Sequence, residues 1–303
     1  MTQETAAISV IIPVYRAGED LISLLTELAG QKTDFSYEVL IADDASPDDT
    51  AERIERHLRS LADPSFQLLR LPKNAGPAGA RNFAISRARG GLYLLIDSDC
   101  GDVPRDYLAR VLEAHRRHPD SVIGGGVEGK GWGWVAFADR FCHWSTNIPG
   151  TAPAPVRRGH LVTANMAIPR KVFEKVGPLP ALRTGEDSAF CFKARAEGIE
   201  LRLHGDLVVA HRDRRTLGDF LSCLYWVGRD RADSREAAYG RVPWFLKFPA
   251  RWFMAPMIAA GLTAKNVAAW WPHDKKVVLA LPLIALGMAA MAAGAAVGPR
   301  EAP

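Results

Sequence analysis

Short, uninterrupted apolar runs recur along the first two-thirds of the chain, and each is followed by an amphipathic stretch long enough for a helix. Ile8–Val14, Glu38–Ala42, Gln67–Leu71 and Leu92–Ile96 read as strands, with helices over Glu19–Leu28, from Ser46-Pro47-Asp48-Asp49 to about Leu61, and over Ala78–Ala88. The Ser-Pro-Asp-Asp step supplies an N-cap, a proline for the first turn and acids for the positive end of the helix dipole. Helix Pro104–Arg116 and strand Val122–Gly125 continue the series. Runs without polar alternation belong in a sheet covered on both faces, and Leu92–Ile96 is expected at its centre. The rhythm predicts an α/β fold with a mostly parallel sheet flanked by helices.

The pattern loosens after Gly126. Gly129–Trp134 and Asn147–Pro155 read as loops, Leu161–Ile168 as a strand, Ser188–Glu197 as a short helix and Leu207–Ala210 as a last small strand ending at His211. A net charge of +4 on 303 residues is too small to indicate a nucleic-acid partner. Four scattered cysteines give neither a disulfide framework nor metal-ligand spacing. Met1–Ala7 shows no secretory signal. Beyond Arg212 the chain turns basic, and Pro243–Trp271 interleaves tryptophan and phenylalanine, Phe245 and Phe248 among them, with lysine and arginine, a composition suited to the headgroup zone of a membrane. Val277–Val297 then runs 21 residues without a charge, long enough to cross a bilayer, and Lys275 and Lys276 place its leading flank in the cytoplasm. A buried alanine-rich helix is the alternative for that run.

Ligands of an open parallel sheet bind beyond the carboxyl ends of the strands. Three such ends carry polar groups: Pro13-Val14-Tyr15, Asp43-Asp44-Ala45-Ser46 and Asp97-Ser98-Asp99. An Asp-x-Asp where the backbone turns can aim carboxylates at Mg²⁺ or Mn²⁺ shared with phosphates, although such pairs also serve turns. Asp43 and Asp44 suit a base or ribose, or an Asx turn. The glycine-bearing loop Asn74–Asn82 is neither a dinucleotide fingerprint nor a P-loop. Its Arg81 can meet a phosphate or simply face solvent. Glu186-Asp187 opens a helix, as dipole partners or as a general base. His211 is a candidate third metal ligand.

In order and approximate spacing, Val10–Tyr15, Asp43–Ser46, Asn74–Asn82, Asp97–Asp99 and Gly185–Asp187 resemble the family 2 glycosyltransferases of GT-A fold, over about residues 8 to 211. The resemblance implies a nucleotide-diphosphate-sugar donor, with Pro13, Tyr15, Asp43 and Asp44 around the base, Arg81 near the nucleotide or its diphosphate, and Asp97 at the ribose or a metal-bound water. It implies Mg²⁺ or Mn²⁺ on Asp99, with Asp97 and His211 nearby, and Asp187 as the base with Glu186 beside it. Transfer would invert the anomeric centre. The Gln-or-Arg-x-x-Arg-Trp segment of polymer-making members is missing from Leu224–Arg231, so transfer of one sugar or a few is expected.

The expected organisation is a catalytic domain over 1–215, a basic aromatic membrane-interfacial segment over 216–271, and a transmembrane helix with a short tail over 272–303. A lipid-linked or cell-envelope acceptor follows from that tail. Two rivals share the acids: a sugar-nucleotide nucleotidyltransferase, for which Tyr15–Glu19 is a poor loop, and an inactive membrane-bound scaffold.

Overall fold

The computed structural model describes residues 6–241, 243–247 and 250–297. Phe248 of the aromatic segment and tail residues 298–303 lie outside the described residues, as does the side chain of Phe245. In chain order the elements are β1 (Ile8–Val14), α1 (Glu19–Ala29), β2 (Tyr37–Asp43), α2 (Thr50–Leu61), β3 (Phe66–Arg70), α3 (Gly76–Ile85), β4 (Leu92–Ile96), β5 (Cys100–Gly101), α4 (Tyr107–Arg117) and β6 (Val122–Lys130). They continue with α5 (Trp134–His143), β7 (Ala154–Pro155), β8 (Asn165–Pro169), α6 (Arg170–Val176), α7 (Glu186–Ala196), β9 (Leu201–Arg212), α8 (Leu217–Arg229), α9 (Arg231–Tyr239), α10 (Ala250–Trp270) and α11 (Leu281–Val297).

The strands form one nine-stranded sheet in the order β3-β2-β1-β4-β8-β6-β9-β5, with β7 paired to β9. β1, β2, β3, β4, β6 and β9 run in one direction, and β8, β5 and β7 run against them. The expected α/β fold with a mostly parallel sheet is thus present, and β4, buried at every position, lies at its centre.

The structure departs from the sequence reading in the second half. Gly129 and Lys130 finish β6, and Trp134 starts α5, where a loop was expected. β9 runs twelve residues: Asp206 and Arg212 are exposed, while Leu201, Leu207 and Val209 are buried, and so are the polar His204 and His211. A bulge between Gly125 and Gly126 lets the buried Asn165 side chain donate to the carbonyls of Gly126 and Leu207 at 3.0 and 2.9 Å. A Cβ at Gly125 would stand 2.2 Å from the Asn165 amide nitrogen, so this crossing requires glycine.

The C-terminal helices share the sheet's core: Phe220, Leu224, Trp270, Ile284 and Met288 pack in one cluster with Val127 and Phe141. Lys275–Ala280 is a 3₁₀ turn, and α11 begins only at Leu281, with Pro282 in the first turn where a missing N–H costs nothing. Within the 23 residues Lys275–Val297 an 18-residue window has a mean hydropathy of 2.2, which suits a bilayer crossing by length and composition, and 44 % of that window is already buried inside the protein. Two glycines set how closely α11 approaches α8. A Cβ on Gly294 would lie 2.0 Å from the Tyr225 carbonyl oxygen, and one on Gly228 1.8 Å from that of Met291. Gly294→Val should therefore force the two helices apart and lower stability by about 1–3 kcal/mol; an unchanged thermal midpoint would show that the crossing is not close-packed.

Candidate active site

Along the carboxyl ends of β1, β2 and β4 lies a cleft of about 890 Å³, lined among others by Pro13, Tyr15, Asp44, Arg81, Asp97 and Asp99. Parallel register puts Val14 level with Asp43, so the loops after β1 and β2 leave the sheet together. Arg16 adopts a positive φ of 52° and donates its backbone N–H to Ser46 Oγ at 3.0 Å, which leaves Tyr15 half-exposed on the cleft wall.

The two acids of β2 have different surroundings. Asp43 is buried, accepts the Ser46 N–H at 3.3 Å, and does not line the cleft. Asp44 lines it, and its two oxygens accept the N–H groups of Ala75 and Gly76 at 2.7 and 2.9 Å. Its carboxylate thus pins the loop before α3, where Gly76 takes a φ of 74°. Burial outweighs those hydrogen bonds and raises the Asp44 pKa.

Arg81 is the central side chain. α3 carries it into the interior, where one guanidinium nitrogen donates to Glu186 Oε1 at 2.9 Å and another to Asp97. The sequence left it as a phosphate contact or a surface residue; the structure buries it as a tie between β4 and α7. Glu186 is buried as well, and desolvation lifts its carboxyl to about 7 despite Arg81. Asp187, the next residue, points elsewhere: it lines a second cavity of about 320 Å³ that meets the first at Asp97. Burial raises Asp187 to about 6, against the Ser188 N–H and Arg81, which favour its ionised form.

At the other side of Asp97 the antiparallel bridge β5–β9 sets Cys100 level with His211 and brings Asp99 to that histidine. His211 Nε2 lies 3.2 Å from Asp99 Oδ1, and Nδ1 lies 3.0 Å from the Arg212 carbonyl oxygen. A carbonyl only accepts, so Nδ1 carries a proton and Nε2 is the nitrogen turned toward the acids. Trp144 packs on the ring with centroids 4.6 Å apart. Burial pushes His211 down, but Asp99 overcomes it and its pKa is raised; Asp99, penalised by burial, is lowered by His211. One ligand atom from each of Asp97, Asp99 and His211 lies within 4.8 Å of the others. Two carboxylates and an oriented imidazole suit a divalent cation of the Mg²⁺ or Mn²⁺ kind, with Nδ1 already anchored to the backbone.

The second cavity was not foreseen in the sequence. Its lining includes His160, Arg231, Arg235 and Lys265, which come from a loop, α9 and α10. No spacing links them; only the folding back of the C-terminal helices brings them together.

Residues 9–177 match the family model of glycosyl transferase family 2, and the chain belongs to that family. It is 29 % identical to glycosyltransferase AglE of Haloferax volcanii over 231 residues, 76 % of this chain and 74 % of that one. Against TarS of Staphylococcus aureus, a poly(ribitol-phosphate) β-N-acetylglucosaminyltransferase, it is 32 % identical over 234 residues; these make up 72 % of this chain, and the chain spans 37 % of that protein's length. The fold matches mannosyltransferase PcManGT of Pyrobaculum calidifontis, solved with GDP-Man and Mn²⁺, with a TM-score of 0.64 at 19 % identity over 98 % of this chain and 87 % of that one. At that identity the likeness establishes a shared fold.

The cation corner makes a checkable demand. A divalent ion on His211 Nε2 must displace the proton that Asp99 helps to hold there, so Mn²⁺ affinity should weaken as pH falls, from above the ordinary histidine range downward. Asp99→Ala should cost at least about tenfold in Mn²⁺ affinity in the presence of a nucleoside diphosphate. Calorimetry at several pH values reads both effects, and equal Mn²⁺ affinity in the two proteins would remove Asp99 from the site.

Proposed function

We propose that this glycosyltransferase moves a sugar from a nucleotide-diphosphate donor to an acceptor hydroxyl with inversion, in a metal-dependent and non-processive reaction at a membrane surface. The observation that carries the reading is the meeting of two cavities at Asp97, with the Asp99–His211 pair on one side and Asp187 on the other.

The larger cleft takes the donor. Pro13 and Tyr15 border the base, the Ala75–Gly76 loop held by Asp44 forms the floor, and Arg16, Arg183 and Arg212 bring positive charge to the same wall. Asp99 and His211, with Asp97, would hold a Mg²⁺ or Mn²⁺ ion whose charge offsets the negative charge growing on the departing diphosphate. The acceptor enters from the smaller cavity. Asp187 takes the proton of its hydroxyl, the oxygen bonds to the anomeric carbon, and the bond from that carbon to the diphosphate oxygen breaks on the opposite face. Glu186 is committed to Arg81 and positions the site without receiving that proton.

α10 and α11 supply the membrane attachment in this reading. Trp252, Phe253 and Met257 are exposed on α10, and Leu279, Leu281 and Leu286 on and before α11. The catalytic domain then faces the cytoplasm, and a lipid-linked acceptor would approach along these helices. Because α11 is also core, the test uses the full chain: it should float with liposomes in a density gradient, and recovery in the lipid-free fractions without detergent would defeat the attachment.

For the chemistry, Asp187→Asn keeps size and removes basicity. Transfer should fall by at least about a hundredfold, while donor affinity stays near that of the unaltered protein. A base with a pKa of about 6 ionises as pH rises, so kcat/KM should fall about tenfold per unit below pH 6 and level off above it. Near-normal turnover of the asparagine protein, or a flat profile through pH 6, would take Asp187 out of the reaction.

A further inference from the structure

The smaller cavity holds a concentration of positive charge that deprotonating a hydroxyl does not require. α9 presents Arg231 and Arg235 four residues apart, hence on one helix face. α10 adds Lys265, and His160 lines the same cavity with its Nε2 at 3.9 Å from Asp187 Oδ2. None of Arg231, Arg235 and Lys265 has a carboxylate within 4.0 Å among the described residues. Arg231 donates to the Met291 sulfur at 3.5 Å, and the Arg235 guanidinium lies 4.3 Å over the Phe192 ring. The pressure on His160 reports the same field. Burial first, and then Lys265, Arg231, Arg235 and Arg195, hold it down to about 3, so it stays neutral beside an acid that would otherwise share its proton.

The arrangement is fixed. Gly185, with a φ of 80°, brings the start of α7 so near α9 that a Cβ there would stand 2.3 Å from Ser234 Oγ. Arg231 and Arg235 flank Ser234 on that helix, so the contact that seats Asp187 also seats the two guanidinium groups. Asp187 and Asp97 line the same cavity, but three cations with no carboxylate within 4.0 Å among the described residues outnumber them, and an anionic ligand relieves the repulsion between the cations.

We propose that this chamber is an acceptor subsite for a phosphoryl group, which Arg231, Arg235 and Lys265 hold so that a neighbouring hydroxyl of the same molecule reaches Asp187. The inference rests on the reading of Asp187 as base and deepens it by assigning the acceptor's chemical class. Guanidinium forks match phosphate oxygens in pairs, and the ammonium group adds a point charge. A volume of about 320 Å³ admits a phosphorylated polyol headgroup but not a long glycan. The donor's own diphosphate is accounted for on the far side of Asp97, beside Asp99.

The experiment measures binding by the full chain in two arms. Calorimetry compares glycerol 1-phosphate with glycerol, and flotation compares phosphatidylcholine vesicles carrying phosphatidylglycerol with vesicles carrying diacylglycerol. The phosphoryl probe should bind at least about tenfold more tightly than its neutral partner in one arm or both. Preference in the vesicle arm alone identifies a lipid acceptor, and preference in the calorimetric arm identifies a soluble one. The double variant Arg231→Gln, Lys265→Gln should erase the preference, Lys265→Arg should keep it, and the double variant Arg56→Gln, Arg59→Gln on the exposed face of α2 controls for net charge. Equal binding of charged and neutral probes in both arms overturns the proposal, as does a preference that survives the double variant in protein with an unchanged melting profile. GDP binding with Mn²⁺ on the same preparations separates the two readings: its failure alongside intact phosphoryl binding counts against the donor assignment and leaves the subsite standing.

Discussion

A guanidinium group inside the protein, tied to one carboxylate from the sheet and one from a helix, sets the positions of the remaining site residues. Arg81 joins Asp97 at the end of β4 to Glu186 at the start of α7, which lies more than a hundred residues after Arg81. In a low-dielectric interior each of these charges is costly alone and tolerable only with the others. Removing the arginine would strand two acids and cost about 3–5 kcal/mol. The high pKa of Glu186, lifted by burial even with Arg81 in contact, shows how nearly balanced the arrangement is. The buried tie sets the start of α7, and with it Asp187, beside Asp97, where the two cavities meet.

From that tie the site divides by neighbour. Residues on the β5–β9 side, Asp99 and His211, form a corner of opposite charges suited to a cation and a diphosphate. Residues on the α7–α9 side place an acid with a raised pKa in one cavity with cations that no carboxylate approaches within 4.0 Å among the described residues. Adjacent acids thus serve unlike purposes: Asp43 caps a turn while Asp44 holds a loop, and Glu186 holds Arg81 while Asp187 faces an open cavity. The C-terminal helices complete the second cavity from outside the sheet, which is why they share its core.

The strands that bear the larger cleft were legible because both faces of β1, β2 and β4 are covered, so burial writes a continuous apolar run into the sequence. β9 was read as four residues of its twelve, since Arg202, His204 and Asp206 interrupt its inward residues. Helix α5 was hidden behind the glycines of Gly129–Trp134, one of which, Gly133, takes a φ of 98° at its cap. Asp97, Asp99 and His211 could be picked out as polar residues at strand ends, and they do converge. Arg81 was visible but its burial was not, because nothing local distinguishes an arginine that pairs with Glu186 from one that meets solvent. His160, Arg231, Arg235 and Lys265 had no signal at all: their proximity depends on how α9 and α10 pack against α7.

The account stands or falls on where a cation binds. Crystals grown with Mn²⁺ and a nucleoside diphosphate would give the ion's position directly from its anomalous scattering. The peak is expected in coordinating contact with Asp99 and with Nε2 of His211, beside Asp97 and against the diphosphate, with the Arg81–Glu186 tie intact. A nucleotide seated in the cleft with the manganese elsewhere, or with His211 turned away from it, would contradict the central claim.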